Sequence, residues 1–142
     1  MEKTTDAKTI FITRDDKTRL EKLLAEEILK SRNSFKHLEG LTKELMKAKV
    51  VESKDVPSDV ITMNSKVRIN DLEINEPKEY VLVFPKEANV ALNKVSVLSP
   101  IGTAMIGCRV GHFFMIKTLT GERRIMVEQI LYQPEAARDY HL

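Results

Sequence analysis

Apolar positions between residues 20 and 28 fall at Leu20, Leu23, Leu24 and Ile28, spacings that lay one stripe along one face of a helix. Thr13 precedes the stripe as an N-cap, and Asp15 and Asp16 fall in the first turn, where negative charge favours the helix dipole. A second stripe follows at Phe35, Leu38, Leu41, Leu45 and Ala48. Ser31-Arg32-Asn33-Ser34 separates the two with residue types that compete for the helical backbone. Gly40 inside the second stripe costs about 1 kcal/mol relative to Ala. The pattern predicts an antiparallel hairpin of two helices, each of about 15 to 17 residues and so about 25 Å long. Narrow stripes with charged flanks fit a protruding pair, a short coiled coil, better than helices laid flat as core. Ahead of them, Lys8-Thr9-Ile10-Phe11-Ile12 reads as a short strand-like run.

Residues 50–57 read as a connector ending at Pro57, after which the period becomes strand-like. Five strands are expected: residues 60–69 with a bend or bulge near Asn64, 79–84 closed by Pro85, 95–98, 112–118 and 123–132. Asn70-Asp71 begins one turn, residues 86–90 form a turn or short helix, and Thr120-Gly121 makes a hairpin. Turn signals at intervals of about ten residues argue for an antiparallel sheet. After Val95-Ser96-Val97-Leu98, Pro100 pushes Ser99 out of helical geometry, so the strand is expected to end there. Gly102 and Gly107 bracket about one turn of small and apolar residues, a sharp corner with a short helix that presents backbone and side chains at a surface. The fold class is therefore α+β, divided into residues 1–52 and residues 53–142.

Composition narrows the function classes. The 142 residues are 42% hydrophobic and 31% charged, with 23 basic and 21 acidic side chains. The net charge of +2 is too balanced for DNA wrapping or polybasic membrane binding. No apolar run approaches the ~20 residues of a membrane span, and the first six residues lack the core of a secretory signal. A soluble, cytoplasmic protein is expected. One cysteine, Cys108, excludes an internal disulfide and reads as a buried structural thiol. His37, His112 and His141 have no ligand spacing, so no metal site is expected, nor any cofactor, since no Lys-Ser/Thr pair follows the 102–107 glycines. Ser99 lacks the strained elbow and partner histidine of a hydrolase. Glu26-Glu27 reads as a solvated face with Lys22 and Lys30. Arg123 and Arg124 point to opposite faces of their strand.

Several strings together resemble a known family. Val95-Ser96-Val97-Leu98-Ser99-Pro100-Ile101-Gly102-Thr103-Ala104-Met105-Ile106-Gly107 is similar to the C-terminal domain of the bacterial Gre transcript-cleavage factors. Arg19-Leu20, Glu44-Leu45, residues 57–65 with Thr62-Met63-Asn64-Ser65, residues 80–85, and Tyr132-Gln133-Pro134-Glu135-Ala136-Ala137 resemble the Rnk-type regulators of nucleoside diphosphate kinase within that superfamily. The resemblance implies an N-terminal coiled-coil hairpin, an FKBP-like β-domain, and docking at the mouth of the RNA polymerase secondary channel. The docking residues it implies are Leu98, Ser99, Pro100 and Ile101; Gre factors carry an acidic or amide side chain where Leu98 stands. Gre cleavage needs a long arm delivering a carboxylate pair that helps hold a magnesium ion. Here the arm is short and its tip, Arg32, Asn33, Ser34 and Lys36, is basic, with Glu27 and Glu39 a turn or so below. The expectation is a non-enzymatic polymerase-binding regulator that competes with Gre factors. The alternative is a regulator of nucleoside diphosphate kinase through a protein contact. Cleavage by Glu26, Glu27 or Glu39 and prolyl isomerisation are weaker readings, the latter because aromatics make up only 6% and tryptophan is absent.

Overall fold

The computed structural model describes residues 9–30 and 36–138. The break expected at residues 31–34, the tip residues Arg32, Asn33 and Ser34, and Phe35 and His141 lie outside the described residues.

Strand β1 (Phe11–Ile12) leads directly into α1 (Arg14–Lys30). Thr13 caps this helix as expected: its Oγ1 accepts from the Asp16 N–H at 3.3 Å, and its carbonyl accepts from Lys17. Helix α2 (Lys36–Met46) is shorter than its stripe suggested, because the chain leaves the helix before Ala48 to form β2 (Lys49–Val50). Strand β2 lies parallel to β1, with Lys49 N–H donating to Ile10 O and Val51 N–H to Ile12 O. What reads in sequence as the start of a connector is thus the partner of the first strand, and the two close the base of the helical pair.

The helices do not stand clear of the rest. Leu20, Leu24, Leu38, Leu41 and Leu45 are buried in the same continuous core as Ile61, Val67, Leu82, Met105, Phe114 and Val127. Among the described residues the far turn of α1 emerges, with Ile28 43% and Leu29 86% exposed. The near half of the hairpin is therefore core, which corrects the protruding arrangement expected from the narrow stripes. Apolar area removed from water at its base outweighs what two short helices could bury against each other.

The sheet has the order β5-β4-β3-β7-β6, built from β3 (Lys66–Asp71), β4 (Glu76–Val83), β5 (Lys94–Ser96), β6 (Phe113–Thr118) and β7 (Gly121–Tyr132). Its pairs are antiparallel except β4 with β5, which run parallel. Val67 and Ile69 alternate inward, opposite Ile130 and Val127 of β7. Residues 60–65 do not belong to the first strand of the sheet. Asn64 takes a left-handed φ of 67° and turns the chain, and the register shifts lie further on, between Lys66 and Val67 and between Arg68 and Ile69. Asn70 and Asp71 are strand residues, and Thr120-Gly121 makes the β6–β7 hairpin. Helices α3 (Pro100–Met105) and α4 (Pro134–Ala137) complete the chain.

Candidate functional site

Strand β5 forms one edge of the sheet, and the chain leaves it through a corner tied by short bonds. The strand ends at Ser96 rather than Ser99, because Ser96 turns its carbonyl and hydroxyl to the residues ahead of it. Ser96 O accepts from Ser99 N–H at 3.0 Å and from Ser99 Oγ at 2.7 Å, while Ser96 Oγ accepts from Leu98 N–H at 3.0 Å. Ser99 is the N-cap of α3, its Oγ accepting from Gly102 N–H at 3.1 Å, and Pro100 follows at the first helical position. Thr103 Oγ1 donates to Pro100 O at 3.0 Å. Gly102 is required by space: a Cβ there would stand 2.0 Å from Ser96 O and 2.9 Å from Val97 Cα. Both hydrogen-bonding functions of the Ser99 hydroxyl are thereby occupied, which suits a structural cap and not a nucleophile. Pro100 is exposed, Leu98 and Ile101 are half-buried against the core, and Gly102, Thr103 and Met105 are buried behind them.

The corner is anchored to the 60–65 loop. Gly107, at φ +86°, donates its N–H to Ile61 O, and Ile61 N–H donates to Cys108 O. Cys108 is buried and its Sγ donates to Ala104 O at 3.2 Å, in keeping with a structural thiol.

A second cluster lies where α1, the 60–65 loop and α4 meet, and four of the family-like strings converge on it. Thr62 Oγ1 donates to Glu135 Oε1 at 2.7 Å and accepts from Ser65 Oγ at 3.0 Å, and Ser65 Oγ in turn accepts from Thr62 N–H. Gln133 Nε2 donates to Pro57 O and Val60 O, at 2.8 and 2.6 Å. The Arg19 guanidinium lies 3.8 Å from the centre of the Phe84 ring. Asp16, on the first turn of α1, is only 5% exposed. Burial, reinforced by the Glu135 carboxylate and Asp15 and opposed by Arg19, pushes its carboxyl up to about 6. Asp16 and Glu135 were missed as a pair by sequence reasoning. The signal for Asp16 was present: it stands four and eight residues before Leu20 and Leu24, on their buried face. Nothing local in the tail indicated that Glu135 would act on it.

The remaining sequence candidates stay apart. Lys36 opens α2, Glu26 and Glu39 are exposed, and Glu27 is half-buried. Arg123 reaches Asp71 and Arg124 reaches Glu73, so the two serve separate ion pairs. Among the described residues no group of three or more His, Cys, Asp or Glu side chains converges on a metal site. No described helix is long and apolar enough to cross a membrane.

Residues 56–132 match the family profile described as transcription elongation factor, GreA/GreB, C-term, and residues 8–51 match the Rnk N-terminus. The chain belongs to the GreA/GreB family, as a member whose helical unit is of the Rnk type. Over 105 residues it is 35% identical to the regulator of nucleoside diphosphate kinase of Escherichia coli K12, covering 73% of this chain and 77% of that one. It is 32% identical over 104 residues to transcription elongation factor GreA of Acetivibrio thermocellus, covering 70% of this chain and 65% of that protein. Its fold matches a GreA/GreB transcription elongation factor structure from Nitrosomonas europaea with a TM-score of 0.73 at 32% identity, over 87% of this chain and 98% of that one.

Proposed function

We propose that this protein is a cytoplasmic, non-catalytic transcription regulator that docks on bacterial RNA polymerase at the rim of the secondary channel and competes there with Gre factors. The observation that carries the reading is the Ser99 corner. Its bonds to Ser96 and Gly102 hold Pro100 outward on a sheet edge, with Leu98 and Ile101 beside it. A rigid protrusion of this kind binds without first losing conformational entropy. Leu98 gives the contact an apolar character. The β-unit is read as FKBP-like and the helical pair as a short coiled coil whose base is sunk into the core. Chemistry at the polymerase centre is disfavoured by the exposed, scattered positions of Glu26 and Glu39 and by an α2 of only 11 residues.

The test is competition with a Gre factor for polymerase, comparing wild type with Pro100→Ala and Ser99→Ala. Both variants should compete more weakly while remaining folded. Equal competition by both variants would misplace the docking edge. Backtracked complexes should show no added cleavage with this protein, and robust magnesium-dependent cleavage would sink the reading. A second reading, regulation of nucleoside diphosphate kinase by direct contact, is favoured by the Rnk-type N-terminus and the E. coli relative. Co-purification with the kinase and not with polymerase would support it instead.

A further inference from the structure

The two edges of the sheet are finished differently. At β5, Asn93 O and Val97 N–H serve β4, so the alternation of the ladder turns Lys94 and Ser96 outward. Lys94 then exchanges both backbone bonds with Asn89, at 2.9 and 3.0 Å, and Ser96 O takes the Ser99 N–H at 3.0 Å. The chain closes this edge with its own turns, and little of it is left to pair with another strand.

The β6 edge is open. Val127 N–H donates to His112 O at 2.9 Å, which sets the alternation of the β6–β7 ladder. Phe114, Ile116 and Thr118 then bond toward β7, while the N–H and C=O groups of Phe113, Met115 and Lys117 face outward. Among the described residues no backbone bond reaches these three from outside the hairpin. Apart from Lys117, the strand has none of the devices that blunt an edge: it holds no proline, and its register with β7 runs unbroken over all six residues. Its inner face is occupied, since Phe114 is buried in one core with Met105 of α3, but Met115 on the other face is exposed.

We propose that β6 pairs with β6 of a second copy of this chain, antiparallel about a two-fold axis at Met115, so that two five-stranded sheets become one. The strand's own sequence selects that register. Centred on Met115, all three outward residues find partners within the strand: Met115 faces its own copy, and Phe113 faces Lys117 of the second chain. Each ammonium group then meets an aromatic ring, and on the inner face Phe114 lies opposite Ile116. Centred on Lys117, two like charges would be opposed. Every other centre leaves an outward residue paired beyond the strand. Because each β5 edge is closed by its own chain, addition stops at two. Six paired residues fall short of the ~800 Å² per partner of a standard interface, so the dimer forms at high micromolar concentration. Strand β5 stands at the other end of the strand order, so the proposal does not rest on polymerase docking.

The test is sedimentation velocity of the full chain from about 10 μM to about 1 mM, with Met115→Lys and Met115→Pro beside wild type. Wild type should shift from monomer toward dimer, and both variants should stay monomeric. Met115→Lys opposes two ammonium groups on the axis, and Met115→Pro removes an outward N–H that β7 does not use; if the proline variant fails to fold, the lysine variant decides. An antiparallel bonded pair sets its Cα atoms about 5.5 Å apart, within disulfide reach, so Met115→Cys should cross-link with diamide at least about tenfold faster than Leu119→Cys. Leu119 is the more exposed of the two but lies off the axis. A wild type that stays monomeric throughout overturns the proposal, as does a dimer that persists in Met115→Lys. Equal cross-linking at positions 115 and 119, or assembly that continues past the dimer, overturns it as well.

Discussion

Two helical glycines should respond to the same substitution in opposite directions. At Gly102 an added Cβ meets backbone on three sides: Ser96 O at 2.0 Å, Ser96 C at 2.8 Å and Val97 Cα at 2.9 Å. Backbone cannot rotate away as a side chain can, so the corner must open by about 1 Å or more to reach ordinary contact. Overpacking of this kind costs about 1–3 kcal/mol. Opening also loosens the Ser99 cap, worth about 1 kcal/mol, while the higher helix propensity of Ala returns about 1 kcal/mol. Because no rotamer relieves the clash, the upper part of the range applies, and Gly102→Ala should destabilise by about 2–3 kcal/mol. At Gly40, in the exposed face of α2, nothing lies within 4 Å of the added Cβ. Gly40→Ala should therefore stabilise by about 0.5–1 kcal/mol. Equilibrium urea unfolding measures both. With a slope of about 2 kcal/mol/M, the midpoint should fall by about 1–1.5 M for Gly102→Ala and rise by up to about 0.5 M for Gly40→Ala. A Gly102→Ala midpoint at or above wild type would refute the packing of α3 against Ser96, and with it the rigidity that the proposed docking requires.

The pH dependence of stability follows from Asp16. Its carboxyl is raised in the fold to about 6, so between about pH 4 and pH 6 the folded chain holds a proton that the unfolded chain has released. Stability should fall as pH rises through that window by up to about 3 kcal/mol, then level off, whereas Asp16→Asn lacks that component of the slope. The difference between the two chains in urea unfolding isolates the effect, since exposed Glu79, held low mainly by its hydrogen bond from Arg68, contributes the opposite trend in both. Thr62→Val should cost about 1–3 kcal/mol, because it removes the hydroxyl donor to buried Glu135. Arg109→Ala removes a two-toothed ion pair with Asp59, at 3.0 and 3.2 Å, and a guanidinium 5.5 Å from the Phe11 ring. That exposed set should cost no more than about 1 kcal/mol by thermal unfolding.

Local signals carried far along this chain. Thr13 capped the helix they predicted, Thr120-Gly121 made the expected hairpin, and Ser99-Pro100 opened the expected short helix. Each is a matter of a few adjacent residues and their backbone bonds, which is the range over which sequence speaks directly. The Ser99 corner was legible for the same reason, since its serine cap, proline and glycine are neighbours. Lys49-Val50 was not legible as a strand, because two residues carry no period, and their strand character exists only through pairing with Phe11-Ile12 across the helices.

The sequence by itself determined the helix faces, the caps, the turn positions and the residues of the corner, because each arises from interactions within a few residues. Tertiary structure decided which strands pair, including the parallel β4–β5 edge, and that the base of the hairpin belongs to the core. It also decided that Asp16 loses most of its water, at 5% exposure. A residue at the start of a helix reads as a dipole partner until the fold covers it, and what covers it is chosen by long-range burial, which no local pattern encodes.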